Sequence, residues 1–110
     1  MQRDQASLLD MLDAARLAVQ YIAGKSYGDF LSDLQCQDAV IRRIELIGEA
    51  ARRVSAETQD LYSQLPWREM VSMRNLMIHQ YDEIDLSVVW DTVNRDLPGL
   101  IESLGEILHG

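Results

Sequence analysis

The residues whose types and spacing suit chemistry on a phosphate group are Arg74 and His79, with Asn75 between them. A guanidinium presents paired donors to phosphate oxygens, and an imidazole takes up or releases a proton near neutral pH. On a helical wheel advancing about 100° per residue from Trp67, the side chains of Met70, Val71, Met73, Met77, Ile78 and Tyr81 fill one continuous arc. Arg74 falls inside that arc, near 340° on the same construction, which is roughly 100° per residue. A buried guanidinium without a partner is costly and cannot shed its proton. Either a carboxylate of a neighbouring helix holds it, Glu45 and Glu49 being the candidates, or it marks a site. Asn75 and His79 lie one turn apart, at about 80° and 120°, and form a polar edge beside Arg74. His79 also stands near the expected end of its helix, where an imidazole can simply bond the last carbonyls. Arg74 and His79 diverge by about 140° on one helix, so one chain need not place both on one small ligand. A two-fold dimer could bring two copies of each together across a groove.

Positioning these residues requires helices, and the chain reads as helices throughout. Leu8, Leu12, Ala15, Val19 and Ile22 repeat at the spacing of one helix face, with Asp4 as the expected N-cap and Gly24 as the stop. Residues 25–37 read as a connection with a short turn of helix around 29–34. A second long helix is expected from about Asp38, carried by Val40, Ile44, Ile47, Ala51 and Val54, with Gly48 on its flank allowing close approach. Pro66 suits a helix first turn, and the third helix, the one bearing Arg74 and His79, then runs to about His79 or Tyr81. Asp85 is placed to cap a last helix whose apolar side is Val89, Val93, Leu97, Leu100, Leu104 and Leu108. Pro98 inside that pattern should kink or split it. No alternating segment or hairpin turn argues for a strand. The expected fold is a single all-α domain over residues 1–110: an antiparallel bundle of four principal helices, the last kinked at its proline.

Length and charge narrow the function. The chain has 110 residues, enough for one core and too few for two. Its longest apolar runs are three residues, as at Leu76-Met77-Ile78, against about 20 for a membrane span. Arg3 and Asp4 lead directly into an amphipathic segment, so no cleaved leader is expected, and with Cys36 as the single cysteine a reducing cytoplasm fits. Two histidines and one cysteine do not furnish a catalytic zinc site. Asp82, Glu83 and Asp85 lack the glycine and downstream glutamate of a calcium loop, so neither metal nor cofactor is expected. The formal net charge of −8 disfavours loose adhesion to nucleic acid. That charge is uneven: residues 81–110 hold one basic and seven acidic side chains, residues 40–80 six and five. An anion site therefore belongs in the middle third, where every basic side chain is an arginine.

The segment Arg74-Asn75-Leu76-Met77-Ile78-His79-Gln80-Tyr81 resembles the Arg-x4-His signature of the HEPN superfamily, and more narrowly the Arg-Asn-x3-His-x-Tyr form of HepT-like toxins. The stretches Ile44-Glu45-Leu46-Ile47-Gly48-Glu49-Ala50, Pro66-Trp67-Arg68-Glu69 and Tyr81-Asp82-Glu83-Ile84-Asp85, with Val89-Trp90 and Asp96-Leu97-Pro98, are similar to the segments flanking that signature. The resemblance implies a homodimer of helical bundles acting as a metal-independent endoribonuclease toxin on RNA, with a minimal nucleotidyltransferase antitoxin as partner. It implies Arg74 and His79 as catalytic residues, Asn75 as their support, and Tyr81 as the acceptor of AMP groups from the antitoxin. RNA carries its own nucleophile, the 2′-hydroxyl, so a proton-transferring group and a cation near the phosphate suffice for cleavage. A second reading is a non-catalytic helical module that docks a nucleotidyltransferase and binds or accepts its nucleotide.

Overall fold

The computed structural model describes residues 2–72 and 84–109. Among them every regular element is helical and no strand occurs. Helix α1, Gln2–Ile22, turns Leu8, Met11, Leu12, Ala15, Ala18 and Ile22 inward at the spacing the sequence carries. It stops where expected, at Gly24, whose φ of +75° only glycine adopts without strain. The start differs from the expectation. Asp4 is not an N-cap: the helix begins before it, and its buried carboxylate reaches across to another element.

The connection after α1 holds more order than its composition suggests. Ser26 and Asp29 form a reciprocal capping box, Asp29 N donating to Ser26 Oγ at 3.1 Å and Ser26 N to Asp29 Oδ2 at 3.0 Å. This box opens the short helix α2, Tyr27–Leu31, whose fully buried Phe30 pins it to the core. Helix α3 then spans Leu34–Arg53, four residues earlier than the apolar periodicity indicates. Asp33 caps it by accepting from Cys36 N at 3.0 Å and also pairs with Lys25 at 3.3 Å.

Two contacts fix the relative direction of α1 and α3. The Cys36 thiol, at the start of α3, donates to the carbonyl of Tyr21 near the end of α1, while Ser55, just past α3, donates to Asp4 near the start of α1. The two helices therefore run antiparallel. Among the described residues their packing is the most extensive, followed by that of α1 on helix α7, Leu97–His109. Val40, Ile44, Ile47 and Ala51 from α3 and Leu97, Leu100 and Leu104 from α7 close the core around α1. Full burial of a leucine or phenylalanine is worth about 1.5–3 kcal/mol, so this interface dominates the fold's stability.

A short helix α4, Ala56–Leu61, follows α3, with Ser55 as its N-cap. Residues 67–72 open a further helix, α5. On the far side, Asp85 caps helix α6, Leu86–Asp91, as expected, by accepting from the Ser87 amide at 2.9 Å. The proline in the last apolar pattern is met by a change in the hydrogen-bond ladder. Residues Thr92–Asp96 form a π turn between α6 and α7, directly before Pro98. The wider turn adjusts the stretch whose carbonyls the proline ring would crowd. Thr92 Oγ1 and Asn94 Nδ2 bond back to the carbonyls of Val88 at 2.7 Å and Trp90 at 2.9 Å, supplying partners where the register shifts. Among the described residues no helix is long and apolar enough to cross a membrane.

Candidate functional site

The motif-bearing segment is anchored on both flanks. On the N-terminal side Trp67 is buried and its indole Nε1 donates to the carbonyl of Tyr62 at 3.0 Å, tying α5 to the end of α4. Met70 is buried beside it, and its amide donates to Pro66 O at 3.0 Å, so the proline stands at the N-cap, one residue before the helix and not in its first turn. On the C-terminal side half-buried Ile84 packs on the core and Asp85 begins α6. Arg74, Asn75, His79 and Tyr81 themselves, with Met73, Met77, Ile78, Asp82 and Glu83, lie outside the described residues.

The carboxylates proposed to hold Arg74 are described. Glu45 and Glu49 stand on α3, and Arg42 binds both, at 3.3 Å to Glu45 Oε2 and 3.8 Å to Glu49 Oε1. Their side chains are only 20% and 29% exposed, less than the 54% of Arg42. Of the other middle-third arginines, Arg53 pairs with Asp10 at 3.5 Å, while Arg52 and Arg68 are exposed. Arg43 differs from all of these. It is half-buried, and its Nε is shielded from solvent with no hydrogen-bond acceptor.

Sequence reasoning did not find a groove of about 460 Å³ beside the anchored end of α5. Its floor is apolar, with buried Ile44, Ile47, Met70 and Leu100, and exposed Glu69 and Asp96 also line it. Three elements distant in sequence build it, so no local pattern announces it. The sole signal was Pro98, whose accommodation in the π turn brings Thr92, Arg95 and Asp96 to the groove wall. Among the described residues no group of histidine, cysteine, aspartate and glutamate is arranged to hold a metal ion.

The chain matches the HepT-like ribonuclease family over residues 11–107. It is 39% identical over 101 residues to the probable ribonuclease HepT of Thermococcus cleftensis, covering 91% of this chain and 92% of that protein. It is 30% identical over 109 residues to an inferred RNase of Caldanaerobacter subterraneus subsp. tengcongensis, covering 99% and 97%. It is also 37% identical over 110 residues to a Methanocaldococcus jannaschii protein named for a gamma-glutamylcyclotransferase and an inferred RNase, where it covers 99% of this chain but spans only 50% of that relative. No solved structure matches the chain significantly. With most of its length matched by the family and by a relative of nearly the same extent, the chain belongs to the HepT-like ribonuclease family.

Proposed function

We propose that the protein is a metal-independent endoribonuclease and the toxin of a toxin-antitoxin pair. The observation that carries this reading is the motif Arg74-Asn75-x3-His79-x-Tyr81 within a chain matched to the HepT-like ribonuclease family across residues 11–107. The names of its relatives, ribonucleases in the two cases of similar length, support the substrate class. In the proposed reaction the RNA 2′-oxygen attacks the adjacent phosphorus while His79 exchanges the proton, the bond to the 5′-oxygen breaks, and Arg74 neutralises the charge that builds on the phosphoryl oxygens. Asn75 orients the phosphate or the imidazole. Because Arg74 and His79 diverge on one helix, a homodimer of antiparallel four-helix bundles unites the two residues across a shared groove. The partner is a minimal nucleotidyltransferase antitoxin that adds AMP to Tyr81, placing phosphates where they pair with Arg74 and fill the groove.

Net charge favours a second reading. A chain at −8 is unusual for a protein that binds RNA, and a helical module that docks a nucleotidyltransferase without cleaving anything would carry no such tension. One experiment separates the two. Purified protein is incubated with RNA in the presence of chelator, beside Arg74→Ala and His79→Ala variants of matched helical content. Cleavage by the wild type that both substitutions remove supports the enzyme; an inert, unmodified wild type sinks it in favour of the module.

A further inference from the structure

We propose that the groove between α5 and α7 is the docking site of a cationic amphipathic helix from a protein partner. Its floor of Ile44, Ile47, Met70 and Leu100 offers an apolar seat, and its volume of about 460 Å³ accommodates a few side chains and not a whole domain. The charge around that seat selects the occupant. Glu69 and Asp96 line the groove, and about one and two turns beyond Gly99 the α7 surface continues in exposed Glu102 and Glu106. None of these four carboxylates takes part in an ion pair among the described residues, and Arg95 is the single cation beside them. Unpaired charge concentrated around an apolar slot matches a helix with one greasy face and lysine or arginine along its flank.

Gly99 adds an independent argument. It occupies a helical position in α7, where glycine is unfavourable relative to alanine. A Cβ built there meets nothing within 4 Å, so packing among the described residues gives no reason for its absence. Gly99 and Ser103, one turn apart, both line the groove. Small residues at that spacing let a second helix backbone come close. The inference uses none of the chemistry assigned to Arg74 and His79, so it stands or falls separately from ribonuclease activity.

The test is titration of ¹⁵N-labelled full-length protein with a synthetic amphipathic helical peptide, leucines on one face and lysines on the flanks, beside a scrambled peptide of equal composition. Resonance shifts confined to residues 44–47, 64–70 and 92–103, and weaker binding of the scrambled peptide, are expected. Glu69→Lys combined with Asp96→Lys should weaken binding about tenfold. Gly99→Ala should raise the melting temperature of the free protein and still weaken the peptide. Shifts spread over the whole acidic surface, equal binding of the scrambled peptide, or a Gly99→Ala protein that binds as tightly as wild type would each overturn the proposal. Binding that survives in a ribonuclease-inactive Arg74→Ala protein upholds it regardless of the catalytic reading.

Discussion

Asp4, in the first turn of α1, holds Ser55, the N-cap of α4, by two bonds: Oδ2 accepts from Ser55 Oγ at 2.6 Å and Oδ1 from Ser55 N at 3.1 Å. Thr58 Oγ1 donates to the same Oδ2 at 2.6 Å, and Thr58 N to Ser55 Oγ at 3.3 Å. One carboxylate therefore joins the start of α1 to the corner where α3 gives way to α4. The three donors favour the ionised form, Ser55 Oγ most, and lower the Asp4 carboxyl from the usual 3.8 to about 2.

That shift sets a direction for acid stability. A carboxyl whose pKa is lower in the folded state stabilises the fold above the unfolded value, and the contribution disappears as pH falls through the folded one. The Asp4 contribution should be complete above about pH 4 and lost on approaching pH 2. Asp4→Asn should lower the melting temperature at pH 7, and its gap to wild type should narrow steadily below pH 4. A gap of constant size across that window would show that the carboxylate charge plays no part.

Gln37 performs a comparable task at the other end of α3. Its buried amide donates to the carbonyls of Phe30 at 2.9 Å and Leu31 at 3.1 Å at the end of α2, where Phe30 O also accepts from Asp33 N at 3.3 Å. Gln37→Leu removes both bonds while filling similar space, and it should destabilise by about 1–3 kcal/mol, chiefly through the Leu31 carbonyl, because Phe30 O keeps its bond from Asp33 N. Urea denaturation gives the figure, and a neutral result would mean that water replaces the amide.

Phe30 is the apolar counterpart of that link. It is fully buried and its ring stands 5.4 Å from that of Trp90, joining α2 to α6. Phe30→Ala should cost about 3–5 kcal/mol, the range for emptying an aromatic site in a core. Intrinsic tryptophan fluorescence reports the same change, because Trp90 loses its neighbour.

These residues also show what a linear reading could and could not reach. The stripes of α1, α3 and α7, the stop at Gly24 and the cap at Asp85 were legible because each rests on a period or on a single residue's backbone preference. The early start of α3 was not. Gln37 is buried yet polar, so it breaks the apolar period while its amide satisfies another helix. Helix α4 has six residues and a buried Thr58, too short and too polar for periodicity to register. Asp4 reads as a cap because aspartate prefers that role, and it does help to cap a helix, but one far along the chain. Arg74 and His79 are singled out by their place on the helical wheel and by resemblance, and they lie outside the described residues, whereas the groove at Glu69 and Asp96 arises only when distant elements meet.

Tyr81 yields a prediction on the functional reading. Incubated with the nucleotidyltransferase and ATP, the wild-type protein should gain mass in steps of one AMP, and Tyr81→Phe should gain none. Intact-protein mass spectrometry decides it, and a phenylalanine variant that still acquires the adduct would move the acceptor elsewhere.

Cys36 should behave as a core residue. Burial pushes its thiol above the usual value, and its Sγ lies 3.5 Å from the carbonyl of Tyr21. The reactive thiolate is therefore scarce at neutral pH, and the native protein should resist alkylation that proceeds readily in denaturant. Rapid labelling of the native state would show that the α1–α3 end opens often.

Among the described residues Arg43 has a side chain that the protomer does not explain. Its Nε is out of solvent without an acceptor among them, on a half-buried residue of α3, whereas Arg42 beside it binds two carboxylates and Arg53 binds Asp10. Desolvating a donor without a partner costs free energy, and charge worsens the cost. Methionine has similar length and no such group. Arg43→Met should leave the helical content intact and raise stability by up to about 1 kcal/mol in urea denaturation at low protein concentration. A loss instead of a gain would show that the guanidinium has an acceptor in solution. Repeating the measurement at high protein concentration then places that acceptor: a loss that appears only there puts it on a second copy of the chain, because a bond within the protomer would be indifferent to concentration.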